Sequence, residues 1–221
     1  MRGSQTKVFV FGASGHAKVI LDLIEKQGEY LTAFLADDDL RLKGSTIFGY
    51  PVLGGKTDVL QAVEKERVKL GFVAIGNNAS RALVSDWLAN NGITLVTLIH
   101  PAAQIGRGVA LAPGTVVMAG AIVNSDTSIG ANAIINTGAT VDHDCILGDY
   151  VHIAPGASVC GGVRIGRLSL IGVGAAITPG VTVGNNVIVG AGATVVSDIQ
   201  DGRCVVGTPA RFLEAFDTRK T

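Results

Sequence analysis

The sequence predicts an α/β domain with a parallel sheet, followed by an all-β domain that coils as a parallel β-helix. Three observations carry this prediction. Strand and helix patterns alternate over residues 1–100, an aliphatic residue recurs at every sixth position after Pro101, and the composition suits stacked small residues. Of the 221 residues only 16% are charged and 5% aromatic, whereas 30 are glycine. We therefore expect two domains, residues 1–100 and residues 101–221.

The first domain alternates strand and helix patterns. Apolar runs that end in glycine or in polar residues predict strands, and apolar residues at helical spacing predict helices. In chain order the predicted elements are strand 7–12, helix 16–28, strand 31–39, helix 57–66, strand 70–78, helix 80–92 and strand 93–99. Thr57 or Asp58 is the expected N-cap of the second helix. Such alternation is typical of a Rossmann-like parallel sheet, whose ligands bind beyond the carboxyl ends of the strands.

The second domain follows a strict six-residue period. Counting from Ile105 in steps of six gives Ile, Leu or Val at sixteen successive positions, the last of which is Val195. The fifth residue of each hexad is small or β-branched, and glycine often stands second or fourth. A hexapeptide period indicates a β-helix, in which three hexads form one triangular coil of 18 residues. Positions one and five would point into the prism, and residues 105–200 would form just over five coils.

Charge and composition argue against several functional classes. The formal net charge is zero and there is no basic block, so nucleic acid is not an expected partner. No apolar run is long enough to span a membrane, and the N-terminus lacks a signal-peptide pattern. The cysteines, Cys145, Cys160 and Cys204, show no C-x-x-C spacing, which argues against a disulfide framework and a structural zinc site. We expect a soluble cytoplasmic protein without a bound metal.

Several motifs together resemble one family of bacterial enzymes. The hexad run is similar to that of the left-handed β-helix acyltransferases. The segments "VFGASGHAKVI", "AIGNN", "LIHP", "INTGATVDHDCILGDYVHIAPGA" and "VVGTPAR" resemble the branch with an N-terminal α/β domain, which includes bacillosamine-type UDP-4-amino-sugar N-acetyltransferases and sialic-acid O-acetyltransferases. The resemblance covers nearly the whole chain. It implies a left-handed β-helix, acetyl-CoA as co-substrate, a homotrimer with active sites between prisms, and a role in polysaccharide or glycan biosynthesis.

His143 is the expected catalytic base. It is third in its hexad, at an outward turn, and Gly161 holds the same place one coil later. The two would stack about 4.8 Å apart, so that the imidazole takes a proton while the Gly161 N–H stabilises a developing oxyanion. Asp142 and Asp144 flank the histidine, and either carboxylate could orient it. The resemblance points to Asp144, because an acidic residue directly follows the catalytic His of the family. A solvated turn histidine is the alternative interpretation.

His152 is the second histidine of interest. It is sixth in its hexad and half a coil from His143, and therefore belongs to another side of the prism. The resemblance implies that it contacts acetyl-CoA from a neighbouring subunit, whereas an interface histidine bonded across subunits is the alternative. Val173 and Ala191 stack one coil apart and would line the CoA groove through their backbone. Arg211, after the last coil, would lie near the CoA phosphates.

The loop "GASGHA" after the first strand is the expected nucleotide-sugar site. N–H groups at a helix N-terminus favour phosphate, but the loop lacks the G-x-G-x-x-G pattern of dinucleotide sites. The resemblance puts this loop near the phosphates or ribose, and acidic residues after the next strand could bind the base or ribose, although a solvated turn also explains them. The candidate substrate-binding residues are Ser14, Gly15, His16, Asp37, Asp38 and Gly76.

The predicted reaction is acetyl transfer from acetyl-CoA to the amino group of a nucleotide-linked 4-amino-4,6-dideoxy sugar. Transfer would be direct, since Cys145 is expected to be buried and neither it nor Cys160 belongs to a nucleophile motif. O-acetylation of a sugar hydroxyl is the alternative, because the same base would serve both acceptors. A scaffold with a degenerate β-helix is disfavoured by the intact His143–Asp144 pair, and an NAD enzyme by the missing fingerprint. His100 and Trp87 are interpreted as structural.

Overall fold

The computed structural model describes residues 5–213, which divide into two compact units. The first unit ends at Pro101, and the second begins at Ala102; the short segment Asn77–Ala79 groups with the second. In the described residues no helix is long and apolar enough to cross a membrane. Nor do residues 5–213 contain a group of three or more His, Cys, Asp or Glu side chains suited to a metal ion.

The first unit is an α/β domain built on a six-stranded sheet. Its elements are β1 (Thr6–Phe11), α1 (Gly15–Gln27), β2 (Tyr30–Ala36), a 3-10 helix (Leu40–Leu42), β3 (Thr46–Ile47), β4 (Tyr50–Leu53), α2 (Lys56–Glu66), β5 (Leu70–Val73), α3 (Asn78–Asn90), β6 (Thr94–Leu95) and β7 (Leu98–Ile99). The sheet order is β3-β4-β2-β1-β5-β6, parallel except for the β3–β4 pair. Because the chain passes from β1 to one neighbour and later to the other, the switch point of the sheet lies at the carboxyl end of β1.

One hairpin in this unit was not predicted from the sequence. Strands β3 and β4 are joined by Phe48 and Gly49, whose φ angles are 50° and 85°. Two successive residues with positive φ are typical of a type I′ hairpin turn, which usually carries Asn or Gly at the first of these positions. A bulky phenylalanine there hides the turn from sequence inspection, and Pro51 further disguises β4.

Several predicted boundaries were also wrong. Helix α2 begins at Lys56 with Gly55 as its N-cap, so neither Thr57 nor Asp58 caps it. Asp58 lies in the first turn instead, where its carboxylate accepts the Gly54 N–H at 2.9 Å. The single strand predicted at 93–99 is two short strands, β6 and β7. The C-terminus of α1 was predicted correctly, since Gly28 is left-handed with φ 73° and donates its N–H to Ile24 O.

The second unit is a parallel β-helix of two-residue strands. They are β8 (Gln104–Ile105), β9 (Ala110–Leu111), β10 (Val116–Val117), β11 (Ile122–Val123), β12 (Ser128–Ile129), β13 (Ile134–Ile135), β14 (Thr140–Val141), β15 (Ile146–Leu147), β16 (His152–Ile153), β17 (Ser158–Val159), β18 (Arg164–Ile165), β19 (Leu170–Ile171), β20 (Ala176–Ile177), β21 (Thr182–Val183), β22 (Ile188–Val189) and β23 (Thr194–Val195), followed by β24 (Cys204–Val206) and β25 (Arg211–Phe212). Thr140 pairs with Ser158 and Ser158 with Ala176, so the register advances by one 18-residue coil. Every third strand joins the same sheet, which gives the prism three faces and confirms the predicted coil.

The interior and the corners follow the hexad. First-position side chains from Val117 to Val195 are at most 3% exposed, and fifth-position side chains from Thr115 to Val187 are buried as well. Fourth-position residues from Gly108 to Gly192 all have positive φ, because the chain turns a corner there. Six of these corners carry a residue other than glycine: Asp126, Asn132, Asp144, Tyr150, Leu168 and Asn186. The fold thereby dictates which side chains leave the prism at each corner.

Candidate active site

His143 stands on the corner between β14 and β15, where the hexad directs it outward. Its side chain is 61% exposed, and its Nδ1 lies 2.7 Å from Oδ2 of Asp144. Asp144 holds the left-handed corner position with φ 59°, a conformation that aspartate tolerates better than most residues. The corner therefore brings the carboxylate back beside the imidazole of the preceding residue.

This contact determines the protonation pattern of the imidazole. A carboxylate can only accept, so Nδ1 must carry the proton and Nε2 is left as the base. The hydrogen bond that His143 donates to Asp144 raises the pKa of His143, and the charge of Asp142 raises it further. The imidazole is consequently a stronger base than an isolated histidine and can take a proton through Nε2.

The structure distinguishes the two flanking aspartates. Asp142 does not bond the ring; its Oδ1 accepts the His143 main-chain N–H at 2.9 Å and the Asn124 side-chain amide at 2.9 Å. These bonds lower the pKa of Asp142 and keep its carboxylate charged. Asp142 thus holds the backbone of the corner, whereas Asp144 orients the imidazole.

Gly161 lies directly against the His143 ring, as the hexad count predicted. A Cβ placed on Gly161 would be 2.7 Å from both Cε1 and Nε2 of the imidazole. The backbones are also joined, since the N–H of Gly162 donates to His143 O at 2.9 Å. The Gly161 N–H itself donates to no group in the described part of the chain. A base and a free backbone donor therefore share one corner.

Apart from Gly161, the residues predicted to bind acetyl-CoA lie elsewhere on the prism. His152 is on the outer side of β16, in a different sheet from β14 and β15, and its Nε2 is 3.0 Å from Nδ2 of Asn136. Val173 is 56% exposed at the corner between β19 and β20, and the exposed Ala191 stacks above it. Arg211 lies in β25, in the wall of a groove of about 640 Å³ at the end of the β-helix. One chain therefore does not bring His143 and His152 together.

The loop after β1 forms the second candidate site, in the first unit. Gly12 has φ 112°, and a Cβ there would lie 2.6 Å from Ala74 O, so only glycine fits between the ends of β1 and β5. The Ala13 N–H donates to Oδ2 of Asp37 at 2.7 Å, and Oδ1 of the same carboxylate accepts the Asp39 N–H at 2.9 Å. Asp37 thus stabilises the loop backbone, a role the sequence did not indicate.

The start of α1 is open. Ser14 occupies the N-cap position but its hydroxyl makes no capping hydrogen bond, and Gly15 has no atom within 4 Å of an added Cβ. Asp38 is exposed, with its carboxylate against the backbone of Gly55. Gly76 likewise has free space where a side chain would stand. These residues border open space at the same sheet edge, where a ligand could approach the backbone.

His16 and Arg81 complete this edge. Nε2 of His16 is buried and has no hydrogen-bond partner within residues 5–213. Desolvation, and to a lesser degree the charge of Arg81, lowers the pKa of His16 to about 4. Arg81 is 1% exposed and donates through one nitrogen to the carbonyls of Ile75 and Gly76, at 3.0 Å each. Sequence inspection missed Arg81, although it shares the buried face of α3 with Val84, Ser85 and Leu88.

Comparisons with known proteins identify the family of the chain. Residues 7–88 match the model of the PglD N-terminal domain, and residues 126–161 match that of the bacterial transferase hexapeptide with six repeats. PerB from Caulobacter crescentus, whose structure is in complex with CoA and GDP-perosamine, is 40% identical, with 94% of this chain and 97% of that chain covered and a TM-score of 0.88. The chain belongs to this family of hexapeptide-repeat sugar N-acetyltransferases.

Two further relatives support the assignment. The acetyltransferase domain of PglB from Neisseria gonorrhoeae, in complex with acetyl coenzyme A, is 41% identical, covers 95% of this chain and 100% of its own, and has a TM-score of 0.86. UDP-N-acetylbacillosamine N-acetyltransferase of Bacillus subtilis is 36% identical over 119 residues, and the match spans 51% of each protein. The second unit accordingly has the left-handed β-helix fold that the hexads and motifs predicted.

Proposed function

We propose that the chain transfers the acetyl group of acetyl-CoA to the amino group of a nucleotide-linked 4-amino-4,6-dideoxy sugar. The observation that carries the proposal is the His143–Asp144 pair stacked on Gly161, whose N–H is free. A base and an oxyanion donor on one corner are the groups that direct acyl transfer requires. An amine acceptor is supported by two relatives that are N-acetyltransferases, the Bacillus subtilis enzyme and the perosamine N-acetyltransferase of Caulobacter crescentus, whose structure contains GDP-perosamine.

Each residue of the corner has one task in this reaction. Acetyl-CoA supplies the activated acetyl group. Nε2 of His143 takes a proton from the acceptor amine as its nitrogen bonds to the thioester carbonyl carbon, and returns the proton to the thiolate after the C–S bond breaks. Asp144 stabilises the imidazolium in between. The Gly161 N–H donates to the oxyanion that develops on the thioester oxygen.

We further propose that the active enzyme is a homotrimer. Because His143 and His152 stand on different sides of one prism, a site that uses both must take them from two chains. His152, Val173 and Ala191 of a neighbouring subunit would then bind acetyl-CoA. The observation behind this step is the assignment of β16 to a different sheet from β14 and β15.

The nucleotide is proposed to bind the first unit at the carboxyl end of β1. The phosphates would meet the uncapped start of α1 at Ser14, Gly15 and His16, and Asp38 is exposed for a hydrogen bond from the ribose or base. His16 would contribute a neutral imidazole, because burial keeps its pKa low. We place the enzyme in glycan or polysaccharide biosynthesis in the cytoplasm; its three cysteines are free thiols, as is typical of a reducing compartment.

The test is a panel of acceptors with acetyl-CoA. UDP-, GDP- and dTDP-linked 4-amino sugars would be compared with the same sugars already acetylated on nitrogen, and with free and CMP-linked sialic acid. CoA thiol release gives the rate, and mass spectrometry after mild alkali distinguishes a stable amide from a labile ester. We expect amide formation on at least one amino sugar and none on the blocked sugars. Transfer to sialic acid alone would establish the O-acetyl alternative instead.

A further inference from the structure

The buried thiol of Cys145 lies directly beneath the corner that carries the reaction. Its side chain is fully buried in the prism, and Sγ donates to the carbonyl of Cys160 at 3.2 Å. A second, longer contact of 3.6 Å joins Sγ to His143 O. The thiol therefore contacts the His143 carbonyl and the peptide group between Cys160 and Gly161, which carries the Gly161 N–H.

The thiol contact fixes the direction of the Gly161 N–H. The Cys160–Gly161 peptide is trans, so its C=O and N–H point in opposite directions. Because Cys160 O is held from inside the prism by Sγ, the N–H on the same peptide plane must point outward, away from the core. This is the N–H that lies beside the imidazole and has no partner in the described structure.

An equivalent internal hydrogen bond recurs in three other hexads, but there the outward N–H that follows is bonded to a carboxylate. A fifth-position hydroxyl donates to the carbonyl fifteen residues later: Thr115 to Gly130, Thr127 to Asp142, and Ser169 to Gly184. In each case the N–H of the following residue points outward to a carboxylate: Ala131 to Asp149, His143 to Asp142, and Asn185 to Asp201. Only the peptide held by Cys145 leaves its outward N–H uncapped among these four.

The backbone of Cys145 is itself held by a hydrogen bond. Its N–H donates to Oγ1 of Thr127 at 3.1 Å, one coil below in the same column. Burial raises the pKa of Cys145, so the group remains a thiol that can donate. Cys145 is therefore neither a nucleophile nor a simple packing residue.

We propose that Cys145 is a positioning residue of the acetyl transfer, which aims the Gly161 N–H at the thioester oxygen by holding the Cys160 carbonyl. This inference rests on the proposed function. Without the thiol the peptide can rotate, and a misdirected oxyanion donor loses part of its contribution to the transition state. Loss of a complete oxyanion donor costs about 10²–10³ in kcat, so a misaimed one should cost about tenfold.

The experiment compares Cys145→Val with Thr115→Val, a matched control. Both remove one buried donor at a fifth position, where valine already stands at Val151 and Val163. We expect kcat of Cys145→Val to fall about tenfold with both KM values within about twofold, while Thr115→Val keeps its kcat. Cys145→Ser should restore at least half of the wild-type kcat, because the serine hydroxyl of Ser169 makes the equivalent bond.

The outcomes separate this inference from the proposed function. An active wild type and an active Thr115→Val establish the reaction, after which only the Cys145 variants bear on the inference. A kcat of Cys145→Val within about twofold of wild type, an equal fall in Thr115→Val, or no rescue by serine would overturn it. If Cys145→Val does not fold, Cys145→Ala compared with Thr115→Ala removes the same donors, since alanine stands at this position in Ala139 and Ala157.

Discussion

Replacement of Gly161 by alanine tests the geometry of the corner. The new methyl carbon would lie 2.7 Å from Cε1 and Nε2 of His143 and 3.2 Å from Nδ1. Ordinary contact begins near 3.4 Å, so the ring must move by about 0.7 Å. The ring has room to move because the imidazole is 61% exposed, but the movement disturbs its 2.7 Å contact with Asp144. The φ angle of Gly161 is not left-handed, so the backbone accepts alanine.

The expected result is a catalytic defect without unfolding. A displacement approaching 1 Å can cost about 10² in rate, and the methyl group also crowds the outward N–H. We therefore expect kcat to fall about 100-fold, with KM for the nucleotide sugar unchanged. The unfolding free energy should change by no more than about 0.5 kcal/mol, because Gly161 is only partly buried and the ring that the methyl group meets can move outward. Initial rates of CoA release at saturating substrates and a thermal melt measure the two effects.

Gly148→Ala provides the contrasting control. Its added Cβ would also approach to 2.7 Å, but the neighbour is the main-chain nitrogen of Arg167, which cannot swing away. That variant should lose stability while the folded fraction keeps its kcat. A Gly161→Ala enzyme with kcat within about threefold of wild type would refute the stacked-corner reasoning.

Three further predictions concern other parts of the two sites. Asp144→Asn keeps the shape and the tolerance for a left-handed corner but loses the charge; because Asp144 raises the pKa of His143, the ascending limb of kcat/KM should move to lower pH and the plateau should fall about tenfold. A limb that stays in place would show that the aspartate does not tune the base. His143→Ala and His152→Ala chains, each impaired at limiting acetyl-CoA, should regain about a quarter of the wild-type activity when they are unfolded and refolded together. In an equal mixture, one two-chain site in four combines an intact histidine of each kind. No recovery would mean that the site does not combine the two histidines from different chains. His16 has a pKa of about 4 and therefore stays neutral at assay pH. His16→Gln should raise KM for the nucleotide sugar without altering the pH profile of kcat/KM above pH 6. A changed profile would contradict a neutral imidazole at this position.

The corner at His143 was predictable because a strict period turns sequence position into geometry. Once the coil is 18 residues, His143 and Gly161 must lie in one column, and the structure confirms that they touch. The same count identified Cys145 as buried. It could not show what the thiol bonds, because a small buried residue at a fifth position is expected for packing alone.

The six-residue period could not predict the directions of the side chains within the corner. Asp142 and Asp144 are equally close to His143 in sequence, and only the left-handed backbone of Asp144 brings its carboxylate to the ring. The roles of Asp37 and Arg81 were missed for a similar reason. A carboxylate bonded to a loop amide and an arginine bonded to carbonyls depend on contacts between segments far apart in sequence.

The first unit was less predictable because its signals are local and weak. Strands β3 and β4 are two and four residues long, and their turn uses Phe48 in a conformation that favours glycine or asparagine. Helix α1, by contrast, carries a long apolar face and a glycine stop, and its end was located correctly.

The turnover number of His143→Ala on the best acceptor tests the central claim most directly. If His143 is the base, kcat should fall by about 10²–10⁴ while light scattering still gives a trimer and KM for both substrates stays near the wild-type value. Loss of turnover should persist as the pH is raised, because the carboxylates left in the corner, Asp142 and Asp144, are much weaker bases than an imidazole. A variant that keeps a tenth or more of the wild-type kcat would contradict the account, whatever its acceptor.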